Sequence, residues 1–186
     1  MKIVTSDTSS DKVSAFSDLS EALTGPAHTL SVYVNNQPGV LMRICQVFAR
    51  RGYNIDSLVV SQGRSTEFSR MTIGISGESD GLDQIIKQVG KLIDVIHCFE
   101  HGSENAVVKE MLLIKFKVGS EKRTEALQII NHFSGKTVDL TPTSMVAMLH
   151  GDSPKIDAAI RMLSQFDIVE TVRTGKVVMA RGDQMT

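Results

Sequence analysis

The sequence predicts an α+β protein built from two tandem βαββαβ sandwiches, each with two helices on one face of an antiparallel sheet. Three observations predict it. Apolar residues alternate at strand spacing and then recur at helix spacing through the first half of the chain. The second half repeats the same order. Clusters of Gly, Pro and polar residues divide the segments as turns do.

Residues 1–27 precede this plan and read as a leader. They are rich in Ser, Thr and Asp, with weak periodicity from Val13 to Leu23, which predicts a poorly ordered tail or a short helix. The leader has no Arg and carries Asp7, Asp11, Asp18 and Glu21, which argues against a transit peptide.

HTLSVYVNN then places Leu30, Val32 and Val34 on one face of a strand. Pro38-Gly39 punctuates, and Pro suits a first helical turn because its missing N–H is not needed there. Leu41, Ile44, Val47 and Phe48 recur at helical spacing, and Arg51-Gly52 supplies a cation and a C-terminal stop. Residues 54–61 predict a second strand, and Met71, Ile73 and Ile75 alternate in a third over 68–76. Leu82, Ile85, Ile86, Val89, Leu92 and Ile93 form an apolar helical stripe, followed by strand over 95–101.

The second copy runs strand 109–118, helix 121–133, strands 136–140 and 144–149, a helix marked by Ile156, Ala159, Ile160, Leu163 and Phe166, and strand again over 168–180 with a turn at Thr174-Gly175. The expected divisions are therefore 1–27, a first sandwich over 28–101, a linker GSENAV over 102–107, and a second sandwich over 108–186. Each sheet is expected to keep one uncovered face and open edges. Unpaired edges must be managed, so edge pairing with a second copy, a homodimer, is expected.

Composition narrows the function. Across 186 residues, 41% are hydrophobic and 22% charged, enough apolar content for a packed core. A net charge of -1 argues against a protein built to hold nucleic acid. Cys45 and Cys98 sit in apolar runs, as reduced core cysteines do. No apolar run reaches the ~18 residues of a membrane span, so a cytoplasmic protein without a membrane partner is expected.

Catalytic patterns are missing from the sequence. The five histidines show no H-E-x-x-H spacing, and G-x-S-x-G, G-x-G-x-x-G and G-x-x-x-x-G-K-[ST] are absent. His97 and His101 fall on one strand face, too far apart for one metal. No catalytic residue, bound metal or cofactor is expected for this chain, and a binding or regulatory role is favoured.

The segment Asn35 to Leu41 carries the candidate site. A helix start offers unpaired N–H groups and partial positive charge to a carboxylate. Gly39 permits close approach, the amides of Gly39, Val40 and Leu41 face an anion, and Asn36 can both donate and accept. Asn54 opens the next strand after a Gly and is expected to lie beside the same loop. Ordinary turn chemistry explains these residue types equally well.

HTLSVYVNNQPGVLMRICQVFARRGYNIDSLVVS, followed by FSRMTIGISG, resembles the ACT domain of acetolactate synthase small subunits. The matching pattern is N-x-x-G-x-L-x-R, then F-x-x-R-G-[YF]-N-I-[ED]-S-L, then S-R-M-T. MLLIKFKV, VDLTPTS, GDSPKIDAAI and VRTGKVVMARGD extend the resemblance through the second half, over about residues 28–184. The resemblance implies an ACT domain over 28–101 that dimerises and binds a branched-chain amino acid, usually valine, at the dimer interface. It assigns the effector to Asn36, Gly39, Val40, Leu41, Asn54 and Ile55. It implies a ferredoxin-like regulatory domain over 108–186. It further implies feedback control in valine, leucine and isoleucine biosynthesis, and activation of a catalytic large subunit that holds thiamine diphosphate, magnesium and FAD.

Relatives often carry an acidic residue where this chain has Asn35, which bears on effector choice. A free-standing ACT-type sensor with another client is the alternative expectation. It would neither bind nor stimulate an acetolactate synthase large subunit.

Overall fold

The computed structural model describes residues 27–76, 81–102 and 104–186. The leader expected over 1–27 lies outside them, save Ala27. Two antiparallel sheets account for the strands. The first half contains β1 (Ala27–Asn35), α1 (Val40–Arg50), β2 (Ser57–Gln62), β3 (Phe68–Ser76), α2 (Leu82–Val89) and β4 (Val95–Glu100), with strand order β2-β3-β1-β4. The second contains β5 (Ala106–Lys117), α3 (Arg123–His132), β6 (Lys136–Leu140), β7 (Ser144–Gly151), α4 (Ser153–Leu163), β8 (Asp167–Arg173) and β9 (Val177–Ala180). Its order is β6-β7-β5-β8, with β9 paired to β5. This is the α+β, ferredoxin-like plan the alternating periodicity predicts.

Each sandwich closes its own core. Leu30, Val32 and Val34 of β1 and Met71, Ile73 and Ile75 of β3 face inward. They meet Val40, Ile44 and Phe48, spaced four apart on α1, and Leu82, Ile85 and Val89 on α2. The second core joins Leu112, Ile114 and Phe116 of β5 and Met145, Ala147 and Leu149 of β7 with Ala126 and Ile130 of α3 and Ile156, Ala159 and Leu163 of α4.

Several elements differ from expectation for identifiable reasons. The predicted stripe runs to Ile93, but α2 ends at Val89 and Gly90 caps it. Leu92 packs against the core, whereas Ile93 is 93% exposed. Ala106 and Val107, placed in the linker by sequence, begin β5, because Ala106–Lys109 pairs with β9. The turn expected at Thr174-Gly175 is present, with Gly175 at φ 81°, and it sends β8 to the main sheet and β9 off it.

The first sheet's outer face is partly covered, which departs from the expectation of an uncovered face. Thr29, Ser31 and Thr72 point away from the helices yet are buried. Gly175 reaches this face, so close that a Cβ there would lie 2.7 Å from Ser57 Cβ. The carbonyl of Thr186 meets His97 Nε2 at 3.0 Å.

Cys98 belongs to the first core, and burial pushes its thiol up to about 12. The thiolate is the reactive form. Iodoacetamide at pH 8 is therefore expected to leave Cys98 unmodified in the folded protein and to modify it once urea is added. Peptide mass spectrometry reads this directly, and prompt modification under native conditions would contradict it.

Candidate site at the start of helix α1

The loop between β1 and α1 is stapled on both sides. Asn35 N donates to Asp94 O at 2.8 Å, tying it to the approach to β4. Asn36 N donates to Glu67 O at 2.7 Å and Asn36 Nδ2 to Thr66 O at 2.9 Å, tying it to the β2–β3 turn. With its amide committed, Asn36 Oδ1 has no partner among the described residues. Gly39 occupies the N-cap at φ 85°, ψ -10°, a left-handed conformation that favours glycine.

The helix start is open to an anion. Gly39 provides no side-chain cap, and no acidic residue occupies the first turn. Val40 N finds only Gln37 O, at 3.4 Å. The N–H groups of Leu41 and Met42 have no partner among the described residues, as expected for a first turn. Val40 is buried and anchors the turn, while Leu41 and Met42 are exposed.

Arg43 belongs to this site and was missing from the residues predicted for it. Its Nε and Nη2 both donate to Asp94 Oδ2, at 2.8 and 2.5 Å. Asp94 is buried, and Nη1 lies 3.0 Å from where a Cβ on Gly39 would stand. The spacing of four from Gly39 was a readable signal, since helical side chains lean toward the N-terminus. The partner carboxylate, 51 residues away, was not.

Asn54 and Ile55 do not join the loop within one chain, which corrects the sequence expectation. Asn35 pairs with Phe68 at one end of the sheet. Ser57 pairs with Gly74, and Asp56 N donates to Gly74 O at 2.9 Å, at the other end. Helix α1 lies between the two, 11 residues or ~16 Å of rise. Asn54 Nδ2 instead donates to Asp56 Oδ1 at 3.0 Å, and Ile55 packs on the first core.

The outer face of the same sheet also carries an aromatic ladder that the strand motifs did not reveal. Phe68, Tyr33, His97 and Phe99 stack in sequence at 5.1 to 5.3 Å between centroids. Arg70 lies 5.6 Å from the Tyr33 ring centre. These residues come from three strands, so no single-strand pattern contains them.

Comparison with known proteins gives a consistent picture. Residues 30–97 match the family model described as the AHAS small subunit-like ACT domain, and residues 109–182 match the small subunit of acetolactate synthase. A probable acetolactate synthase small subunit from Archaeoglobus fulgidus is 41% identical over 157 residues, 84% of this chain and 98% of the relative. The acetolactate synthase small subunit of Mycobacterium bovis is 40% identical over 155 residues, 83% of this chain and 92% of the relative. A crystal structure of an acetolactate synthase small subunit from Thermotoga maritima superposes with a TM-score of 0.76 at 34% identity, covering 85% of this chain and 99% of that one.

Proposed function

Because this chain belongs to the family of acetolactate synthase small subunits, we propose that the start of α1 is the sensor of that enzyme's feedback control, binding a branched-chain amino acid, valine first among them. The chain is the non-catalytic, regulatory subunit of this transferase. In this reading it acts in the cytoplasm and carries no cofactor. Carbon–carbon bond formation, with thiamine diphosphate, magnesium and FAD, belongs to a catalytic large subunit that it activates.

The observation that carries the effector reading is the uncapped first turn of α1 behind a left-handed Gly39. Its free N–H groups suit a carboxylate, and Asn36 Oδ1 suits an ammonium. The Asn54 turn, at the far end of the same protomer, enters through a homodimer. Antiparallel pairing of the β2 edges of two copies sets the upper end of one sheet beside the lower end of the other. The partner's Asn54 then faces the Asn36 loop. Val60 on the β2 edge and Leu41 and Met42 on α1 are exposed apolar residues that such pairing would cover.

Effector occupancy acts on the large subunit only if valine binds the inactive arrangement more tightly than the active one. Titration calorimetry on the purified chain tests the sensor directly. Asn36→Ala is expected to weaken valine binding about tenfold, the worth of one good hydrogen bond lost. Unchanged affinity would place the pocket elsewhere. Acetolactate formation by the chain alone, without a large subunit, would sink the regulatory reading.

A further inference from the structure

We propose that the seam between the two sandwiches holds a second amino-acid site, one that reads the ammonium and carboxylate of an α-amino acid and not its side chain. The ligand class rests on the effector reading above. The charged groups are different residues.

A groove of about 220 Å³ runs along the seam, between the approach to β2 and the start of α4. That is below the ~300–1,000 Å³ of ordinary drug-sized pockets, so only a small molecule fits. Gly175 and Ser57 bring the two walls into close approach at one end.

Charges of both signs face this space. Arg173 lies in the wall with Nη2 and Nε on Glu110 and Nη1 on Asp157 at 2.7 Å. The buried Glu110 neutralises Arg173, which leaves the more exposed Asp157 carboxylate in excess. Asp56, across the seam, shares Oδ1 with Asn54, and its Oδ2 has no partner among the described residues. Lys176 lines the groove and makes no ion pair among the described residues. The first turn of α4 opens on it at Ser153, with no side-chain cap from Asp152. Two carboxylates offer acceptors to an α-ammonium. Lys176 and the helix start offer a positive pole to an α-carboxylate.

No aliphatic side chain is exposed in the groove. The one aliphatic side chain among its lining residues, Ile75, is 1% exposed and turned into the first core. The remaining wall is backbone, short polar side chains and the stems of Arg173 and Lys176. A ligand side chain meets only backbone and stem carbon there, with no aliphatic side chain to shape a pocket that discriminates valine from leucine or isoleucine.

The test is calorimetry of the full chain with valine, leucine and isoleucine. The unaltered chain is expected to show two classes of site. Lys176→Met is expected to weaken one class more than about tenfold and spare the other, and Lys176→Gln to do the same. Asn36→Ala should act on the opposite class. In the Lys176-dependent class the three amino acids should bind within about threefold of one another, while valinamide and isovalerate, each lacking one charge, should bind at least about tenfold more weakly. A single class that Lys176→Met leaves untouched overturns the seam site and leaves the effector site standing. A Lys176-dependent class alone, indifferent to Asn36→Ala, sinks the effector pocket and keeps the seam site. No binding by the unaltered chain overturns both.

Discussion

Arg173→Met is expected to cost about 3–5 kcal/mol of stability, the penalty of stranding a buried charge. The stranded group is Glu110, whose side chain is only 4% exposed and whose two oxygens are both held by Arg173. Asp157, at 36%, can turn to water and adds little to the loss. Burial pulls the Arg173 guanidinium down, but hydrogen bonds and charge from Glu110, then Asp157, outweigh it and hold it above its ordinary range. A cation so raised contributes its stabilisation at every pH below that range and loses it only in strong base, so the effect is fully present at neutral pH. Urea denaturation of single and double variants checks this. Glu110→Gln combined with Arg173→Met should recover most of the loss, because a pair can be removed far more cheaply than half of one. A single variant as stable as the starting protein would mean that water reaches Glu110.

The two-sandwich plan was legible because each core face is a local pattern. Leu30, Val32 and Val34 alternate, Val40, Ile44 and Phe48 recur every fourth residue, and both patterns are complete within ten residues. Periodicity reports apolar spacing, however, and not burial. It ran α2 through Leu92 to Ile93, past the Gly90 that ends it, and Ile93 is the most exposed of the large apolar side chains. The start of β5 was illegible for another reason. Ala106 and Val107 are strand only because β9 returns from about seventy residues later to pair with them.

The candidate site divides in the same way. The Asn36–Gly39 loop and its helix start follow from neighbouring residues. Arg43 needed Asp94 to fix it, a contact set by tertiary packing across 51 positions. The position of Asn54 within the chain follows from connectivity. A strand, a helix and a parallel strand place the second turn at the far end of the helix from the first, so Asn36 and Asn54 are separated by topology alone. The family motif contains both residues, and the homodimer proposed above would bring them together across its two copies.

Gly39→Val is expected to be the most damaging single change at the effector loop. The left-handed backbone at φ 85° costs any L-residue about 1–2 kcal/mol, and β-branching adds to it. A Cβ there also stands 3.0 Å from Arg43 Nη1, and that guanidinium is not free to retreat while Nε and Nη2 hold Asp94. The loop cannot shift either, because Asn35 and Asn36 are bonded to Asp94 and Glu67 on opposite sides. Strain must then be relieved by rotating the first turn of α1, which turns its N–H groups away from the ligand. Valine affinity is expected to fall by more than about a hundredfold, ~3 kcal/mol, with a stability loss that exceeds the ~1–2 kcal/mol of the backbone penalty alone. Gly182→Ala supplies the control, with φ 67° and nothing within 4 Å of the added carbon. It carries the same backbone penalty without the close approach, and its valine affinity should be unchanged. If both variants bind valine as the unaltered chain does, the first turn of α1 is not where the carboxylate sits. If both lose it equally, stability and not the geometry of Gly39 controls binding.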